Sequence, residues 1–232
     1  MDAGGGCGRS ENLVKLAQLL RHYRPNYGSG SDSVEDGIES KDVKTSRAAV
    51  LICLFEDENG DLRVILTKRS STLSSHSGEV ALPGGKRDDG DASDVETALR
   101  EAKEEIGLDS TIVEVVTVLE PFHTKRNITV VPVVGILFDR KAFKPIINAD
   151  EVESIFDAPL EMFLKDENRR QEEREWMGYK YLLHFFDHQA ENTSYIIWAL
   201  TAAILIKAAS VVYQRSPAFE ECFPEFWSRR AR

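Results

Sequence analysis

The order of apolar and polar positions divides the chain into segments of different period. Val95, Ala98, Leu99, Ala102 and Ile106 recur at three- and four-residue intervals, which at about 100° per residue predicts an amphipathic helix. Ser93 or Asp94 can cap its start, and Gly107 can end it in a left-handed conformation. Leu13, Leu16, Leu19 and Leu20 predict a shorter amphipathic helix over Ser10–Arg24, packed on the domain or on a partner, with intramolecular packing favoured. The continuous apolar run Ala48–Phe55 predicts a buried strand, and Glu58-Asn59-Gly60 turns the chain into a second, Leu62–Thr67. Further strands are predicted at Gly78–Leu82, Thr111–Leu119, Ile128–Phe138 and Glu151–Phe156, the last followed by Pro159 and a short helix. Densely charged Lys165–Glu175 is expected to be a solvated helix or loop, and aromatic-rich Trp176–Phe186 to complete or cover a sheet. Ser194–Tyr213 is nearly long and apolar enough for a membrane span. Lys207, Thr201 and its alanines favour a buried C-terminal helix, so no membrane role is expected.

Asn26–Ser46, rich in Gly, Ser and acidic residues, reads as a flexible linker. The expected division is therefore a helix and linker over 1–46, one catalytic domain over 47–216 and a tail over 217–232. A chain of 232 residues with 42% hydrophobic content can bury one substantial core. Its net charge of −10, with no long basic run, disfavours nonspecific nucleic-acid binding. A polyanionic substrate would need metal ions or local cations to approach it. Cys7, Cys53 and Cys222 are scattered and odd in number, as expected of free thiols in a reducing compartment. Met1–Gly6 lacks the apolar stretch of a signal peptide, and a cytoplasmic location is expected.

Candidate chemistry concentrates in LPGGKRDDGDASDVETALREAKEEIGL, from Leu82 to Leu108. Glu101, Glu104 and Glu105 lie beside the apolar stripe at spacings that bring side chains together on a helix. Adjacent carboxylates repel, and their hard oxygens suit Mg²⁺ or Mn²⁺, whose charge removes the repulsion. A solvated acidic face is the plain alternative; Pro83-Gly84-Gly85 and Arg100-Glu101 weigh against it. Lys68, Arg69, Lys86 and Arg87 flank the region and could contact phosphates, although a lone cation is more often simply solvated. The five histidines show no metal spacing, and Ser70, Ser71, Ser74, Ser75 and Ser77 form no nucleophile arrangement with His and Asp.

Arg100 to Leu108 matches the second half of the Nudix box, Gly-x5-Glu-x7-ArgGlu-U-x-GluGlu-x-Gly-U, with alanine at the first U. Counting back from Arg100 puts Ala92 at the position of the first Glu, and the Gly85–Arg100 spacing is one residue longer than the pattern. Ile65 to Gly85 resembles the coenzyme A subgroup signature at Thr67, Arg69, Ser70, Gly78, Pro83, Gly84 and Gly85, with Ser74 replacing its second Arg and Leu82 its Phe. The longer spacing is also typical of that subgroup. The chain is thus similar to Nudix hydrolases, most of all the plant cytosolic coenzyme A type, over about Ala48–Gln214.

The resemblance implies an α/β fold in which a mixed sheet is sandwiched between helices, and metal-dependent hydrolysis of a phosphoanhydride. Coenzyme A and its thioesters would yield 3′,5′-ADP and a 4′-phosphopantetheine product. ADP-ribose, NADH or another nucleoside diphosphate compound is the alternative substrate, and a non-catalytic nucleotide-sensing module the alternative class. Glu101 and Glu105 would hold Mg²⁺ or Mn²⁺, Glu104 would be a ligand or activate water, and Arg100 would hold a glutamate or loop in place. Arg69, Lys68, Ser70, Gly84 and Gly85 would bind substrate. Glu151 and Glu153 fall two apart on a predicted strand; Glu153 is selected as an added ligand because Glu-x-x-Phe before a Pro-Leu turn resembles the family pattern. For either, and for Glu120, an ordinary surface carboxylate fits equally well. Homo-oligomerisation is left open.

Overall fold

A continuous apolar strand needs cover on both faces, and the fold is built around one that has it. In the computed structural model, which describes residues 9–25 and 46–227, β1 (Ser46–Glu56) alternates its side chains between two cores. Ala48, Ile52 and Leu54 enter one; Ala49, Leu51, Cys53 and Phe55 enter the other. The expected linker, apart from Ser46, lies outside the described residues, as do Met1–Gly6 and Cys7.

Asp57 ends β1 by accepting the Asn59 and Asp61 amides at 2.9 Å each, and Gly60 takes φ 86° in the turn into antiparallel β2 (Leu62–Arg69). Short β3 (Val80–Ala81) pairs with β2, and β4 (Gly84–Lys86) with the start of β1. The helices α1 (Glu11–Arg21) and α2 (Asp94–Ile106) precede and follow this unit. Then come β5 (Val113–Val118), β6 (Phe122–His123) and β7 (Ile128–Leu137); β7 runs parallel to β1 from Ser46↔Ile128 to Leu54↔Ile136. Antiparallel β8 (Val152–Pro159) covers the other side of β2 and completes a mixed eight-stranded sheet. A separate three-stranded antiparallel sheet follows, from β9 (Arg169–Trp176), β10 (Tyr179–Ala190) and β11 (Thr193–Trp198), before α3 (Ala199–Tyr213). One core packs α2, through Ala98, Ala102 and Ile106, on the main sheet. The other holds α1 and α3. The main sheet is therefore mixed and lies between helices, as expected.

Two expectations are corrected. Lys165–Glu175 is not a helix or loop: β9 runs from Arg169, and β10 pairs all eight of its residues. Its charged side chains carry no period-two signal, so the strand exists because a neighbouring backbone pairs it. The expected helix over Ser194–Tyr213 begins only at Ala199, because Tyr195-Ile196-Ile197-Trp198 is a β-branched and aromatic run that pairs with β10. Among the described residues no helix is long and apolar enough to cross a membrane.

Ser10 caps α1, and Leu13, Ala17 and Leu20 are buried in the α3-side core. Polar contacts fix the helix from outside: Arg9 and Arg21 both reach Glu114, and the Tyr23 hydroxyl donates to Glu120 at 2.8 Å. Glu120 also faces Lys207 at 3.4 Å, so this carboxylate serves packing. Beyond α3, Phe219 lies 5.0 Å from the His184 ring, and the Leu182 amide donates to Cys222 at 2.7 Å. Exposed ion pairs contribute little, so burial dominates what α1 adds. Leu20→Ala should cost about 2–5 kcal/mol. Thermal denaturation should show one cooperative transition at a clearly lower Tm; an unchanged Tm would mean that α1 is energetically separate.

Candidate active site

The helix that carries the acidic motif is locally well specified. The Ser93 hydroxyl accepts the Glu96 amide at 3.2 Å at its start, and Gly107 ends it at φ 70°. With Ala98, Ala102 and Ile106 buried against the sheet, Glu101 and Glu105 sit one turn apart facing β4. Gly84 donates its amide to Glu105 Oε2 at 3.1 Å. A side chain on Gly84 would strike backbone, and one on Gly85 would push the Glu101 carboxylate out of place. A Cβ on Gly84, at φ 153°, would fall 2.3 Å from the Ala49 carbonyl oxygen, and one on Gly85 would fall 2.5 Å from the Glu101 carboxyl carbon.

The third carboxylate in this space is Glu151. Oxygens of Glu101, Glu105 and Glu151 all lie within 4.8 Å of one another. Octahedral Mg²⁺ with oxygen ligands at about 2.1 Å separates neighbouring oxygens by about 3 Å and opposite ones by about 4 Å. The three side chains therefore fit a divalent cation in both donor type and spacing. Their desolvation points the same way. Burial pushes Glu105 up to about 7, against the opposing Gly84 amide and Arg69 guanidinium. Burial also raises Glu101, against the opposing Arg100 charge.

Glu104 and Glu153 are placed elsewhere. Glu104, three residues on from Glu101, turns to the rim, accepts Arg100 at 2.9 Å and has a half-exposed carboxylate. Glu153 bonds Lys68 at 2.6 Å. The assumption of two residues on one strand fails here because β8 starts at Val152. Glu151 belongs to the preceding turn, where its amide donates to Asn148 at 3.0 Å and its carbonyl accepts Ser70 at 2.8 Å. The turn aims it independently of the strand's alternation.

Asp91, unlike Glu151, was not among the candidates read from the sequence. Arg100 reaches its two carboxylate oxygens at 2.9 and 3.0 Å, and the Thr97 hydroxyl donates to it at 2.9 Å. The Arg100 hydrogen bonds, then the Asp88 amide, hold this carboxyl far below the usual carboxylate range. Arg100 also donates to Glu101 and to the Lys86 carbonyl, at 3.0 and 3.1 Å, so the buried Asp91 sets where Glu101 points. The signal was present. Counting forward from Gly85 through five residues lands on Asp91, whereas counting back from Arg100 lands on Ala92.

The expected substrate-binding residues divide. Arg69 Nη1 lies 3.8 Å from Glu105, and its buried Nε has no hydrogen-bond partner among the described residues. It therefore faces the carboxylates. Ser70 is buried and shares its hydroxyl with Thr72 at 2.8 Å, so it ties down the Glu151 turn. Lys68 points to the other side of β2, and the Gly84 amide is committed to Glu105. His76 bonds Glu79 at 2.8 Å. Burial pushes the Cys53 thiol up to about 12, which leaves it inert.

Residues 45–196 match the NUDIX domain family model. The chain is 55% identical over 234 residues to Nudix hydrolase 22, chloroplastic, of Arabidopsis thaliana, spanning 93% of this chain and 78% of that protein. It is 66% identical over 183 residues to Nudix hydrolase 15, mitochondrial, of the same plant, covering 79% of this chain but only 64% of the relative. It is 36% identical over 186 residues to the peroxisomal coenzyme A diphosphatase NUDT7 of Mus musculus, covering 79% and 78%. The first two names overturn the expected cytoplasmic location, since both relatives are assigned to organelles. Scattered free thiols report redox poise rather than a receptor-read address, which is why they misled.

Two measurements test the site. Because the folded-state value of Glu105 is raised, ionising it destabilises the fold: the cost is absent below 4.5, grows with pH and is complete above about 7. Glu105→Gln keeps an acceptor for Gly84 and removes the charge. In EDTA it should stabilise the fold at pH 8, by an amount on the order of 3 kcal/mol read from the rise in Tm, and far less at pH 5. A shift of equal size at both pH values would refute the desolvation account. Asp91→Ala should lower kcat about tenfold or more by releasing Arg100, with Asp91→Glu recovering part of the loss; a steady-state comparison of both variants checks it.

Proposed function

The chain belongs to the Nudix hydrolase family, and on that premise we propose that it hydrolyses the diphosphate of coenzyme A and its derivatives to 3′,5′-ADP and 4′-phosphopantetheine or its acyl form. The observation that carries this reading is the meeting of two motifs. The coenzyme A-type segment Ile65–Gly85 ends in the glycines that wall the carboxylate group, and its Arg69 faces Glu105. The 36% identical relative named as a coenzyme A diphosphatase supports the same substrate class.

Nudix hydrolases are divalent-metal enzymes, and Glu101, Glu105 and Glu151 would hold Mg²⁺ or Mn²⁺ here. A bound ion of this kind polarises the phosphoryl group and lowers the pKa of coordinated water. The chain's own residues do the rest. The Gly84 amide and the wall at Gly85 keep Glu105 and Glu101 in fixed directions. Arg100 braces Glu101 against Asp91 and draws Glu104 to the rim, where it can take a proton from an incoming water. Arg69 places a guanidinium beside the carboxylates, where it can donate paired hydrogen bonds to the scissile diphosphate. Ser74, in place of the signature's second Arg, favours the rival reading of ADP-ribose or a dinucleotide as substrate.

Product analysis across coenzyme A, acyl derivatives, NADH and ADP-ribose decides between them. The expected result is metal-dependent release of 3′,5′-ADP with coenzyme A-type substrates turned over fastest; preference for ADP-ribose would favour the rival. Glu101→Gln and Glu105→Gln should each reduce kcat about 10²-fold or more. Glu151→Gln should weaken binding of Mn²⁺ itself, measured by titration. Near-wild-type rates at saturating Mg²⁺ in all three would remove the carboxylates from catalysis.

A further inference from the structure

Two of the three converging carboxylates share a helix; Glu151 comes from a loop, where regular structure does not aim a side chain. The segment 143–152 is held at both ends. Phe143 is buried in the α2-side core, and the Glu151 carbonyl accepts the Ser70 amide at 2.8 Å. Between these anchors the loop hangs on the last turn of α2. The Ile146 amide donates to the Ile106 carbonyl and the Asn148 amide to the Glu105 carbonyl, both at 3.0 Å. Carbonyls in the last turn of a helix have no partner within it, so the loop supplies what the helix lacks. Gly107 permits the approach: a Cβ there would fall 2.8 Å from the Ile146 Cβ. Asn148 then closes the turn. Its carbonyl accepts the Glu151 and Val152 amides at 3.0 and 2.9 Å, and its Oδ1 accepts the Asp150 amide at 3.2 Å. Because a backbone N–H takes the oxygen of this side chain, its nitrogen is the end that faces Glu151, and Nδ2 donates to Glu151 Oε1 at 3.4 Å.

We propose that Asn148 is a positioning residue for the divalent cation, directing the Glu151 carboxylate toward Glu101 and Glu105. The inference rests on the metal reading of these three carboxylates given above. A glutamate loses rotamer freedom when it becomes a ligand, and a donor that already holds one of its oxygens reduces that loss. A neutral amide suits this position. An ammonium or guanidinium would offset the negative charge that attracts the cation, whereas an amide donates a hydrogen bond and leaves that charge in place. A carboxylate offers several acceptor positions, so one long contact to Nδ2 leaves others for the metal. The same residue also joins ligands from distant parts of the chain. Its backbone amide holds the Glu105 carbonyl while its side chain holds the Glu151 carboxylate, so one residue sets the spacing between helix ligand and loop ligand.

The test is a double-mutant cycle read by Mn²⁺ affinity rather than turnover. Mn²⁺ is titrated into the full chain, and the free ion is followed by its electron paramagnetic resonance signal. The proteins are wild type, Asn148→Ala, Glu151→Gln and the double variant. Asn148→Ala should weaken Mn²⁺ binding about tenfold or more. In the Glu151→Gln background the same substitution should change affinity by less than about twofold, because the group it positions is already gone. Asn148→Ser separates the turn from the carboxylate. Its hydroxyl can still accept the Asp150 amide, but it lacks the amide donor. This variant should keep a Tm near wild type in EDTA and still bind Mn²⁺ weakly; if the alanine variant does not fold, the serine variant takes its place in the cycle. Equal weakening with and without Glu151, unchanged Mn²⁺ affinity in Asn148→Ala, or full affinity in Asn148→Ser overturns the positioning role. The failure of the underlying reading looks different. Wild-type Mn²⁺ affinity in Glu151→Gln refutes Glu151 as a ligand and this inference with it, whereas weakened binding in Glu151→Gln alone refutes only the role of Asn148.

Discussion

The arrangement depends on one uncomfortable contact, a carboxylate buried against a backbone that has no side chain to offer. Glu105 is 3% exposed and is held by the Gly84 amide where a Cβ would strike the Ala49 carbonyl. Burying an unneutralised carboxylate costs stability, which is why its ionisation is pushed toward neutral pH. A fold retains such a group where a cation offsets it. The helix, the glycine wall and the Glu151 turn all serve to place two more oxygens around that point.

The surrounding charges bring order to what would otherwise be a repulsive cluster. Asp91 and Arg100 form the fixed pair, with Arg100 donating outward to Glu101, Glu104 and the Lys86 carbonyl. The guanidinium's planar fork explains why this position carries Arg: a lysine ammonium is a point charge and could not hold both Asp91 oxygens while donating to Glu101. Arg69 supplies the other cationic side of the site. Together they partition the acidic residues into those that converge and those that are held away.

Around the site, the two cores do different work. The α2-side core keeps the helix flush against the sheet, so that small side chains such as Ala98 and Ala102 bring its backbone close to β1. The α3-side core binds α1, α3 and the small sheet into one mass, and positions β11 against the β2–β3 edge. That second core is what gives the signature segment a partner surface.

The sequence by itself determined what depends on local period and local chemistry. The α2 stripe, its caps, the buried β1 and the Glu101–Glu105 spacing are all carried by residues within a few positions of one another. Tertiary structure decided what depends on distant chain. Whether Glu151 or Glu153 joins the carboxylates was set by the turn that Ser70 anchors, not by strand alternation. Whether Asp91 replaces the glutamate missing at Ala92 was set by where Arg100 reaches. Charged β9 became a strand only because β10 supplied its hydrogen bonds, and Lys68 and Arg69 parted company because adjacent residues on β2 face opposite sides of a sheet whose two faces have different uses. Spacing along the chain records which groups can share a helix face; it holds no record of which loop, closed from far away, will bring the third carboxylate.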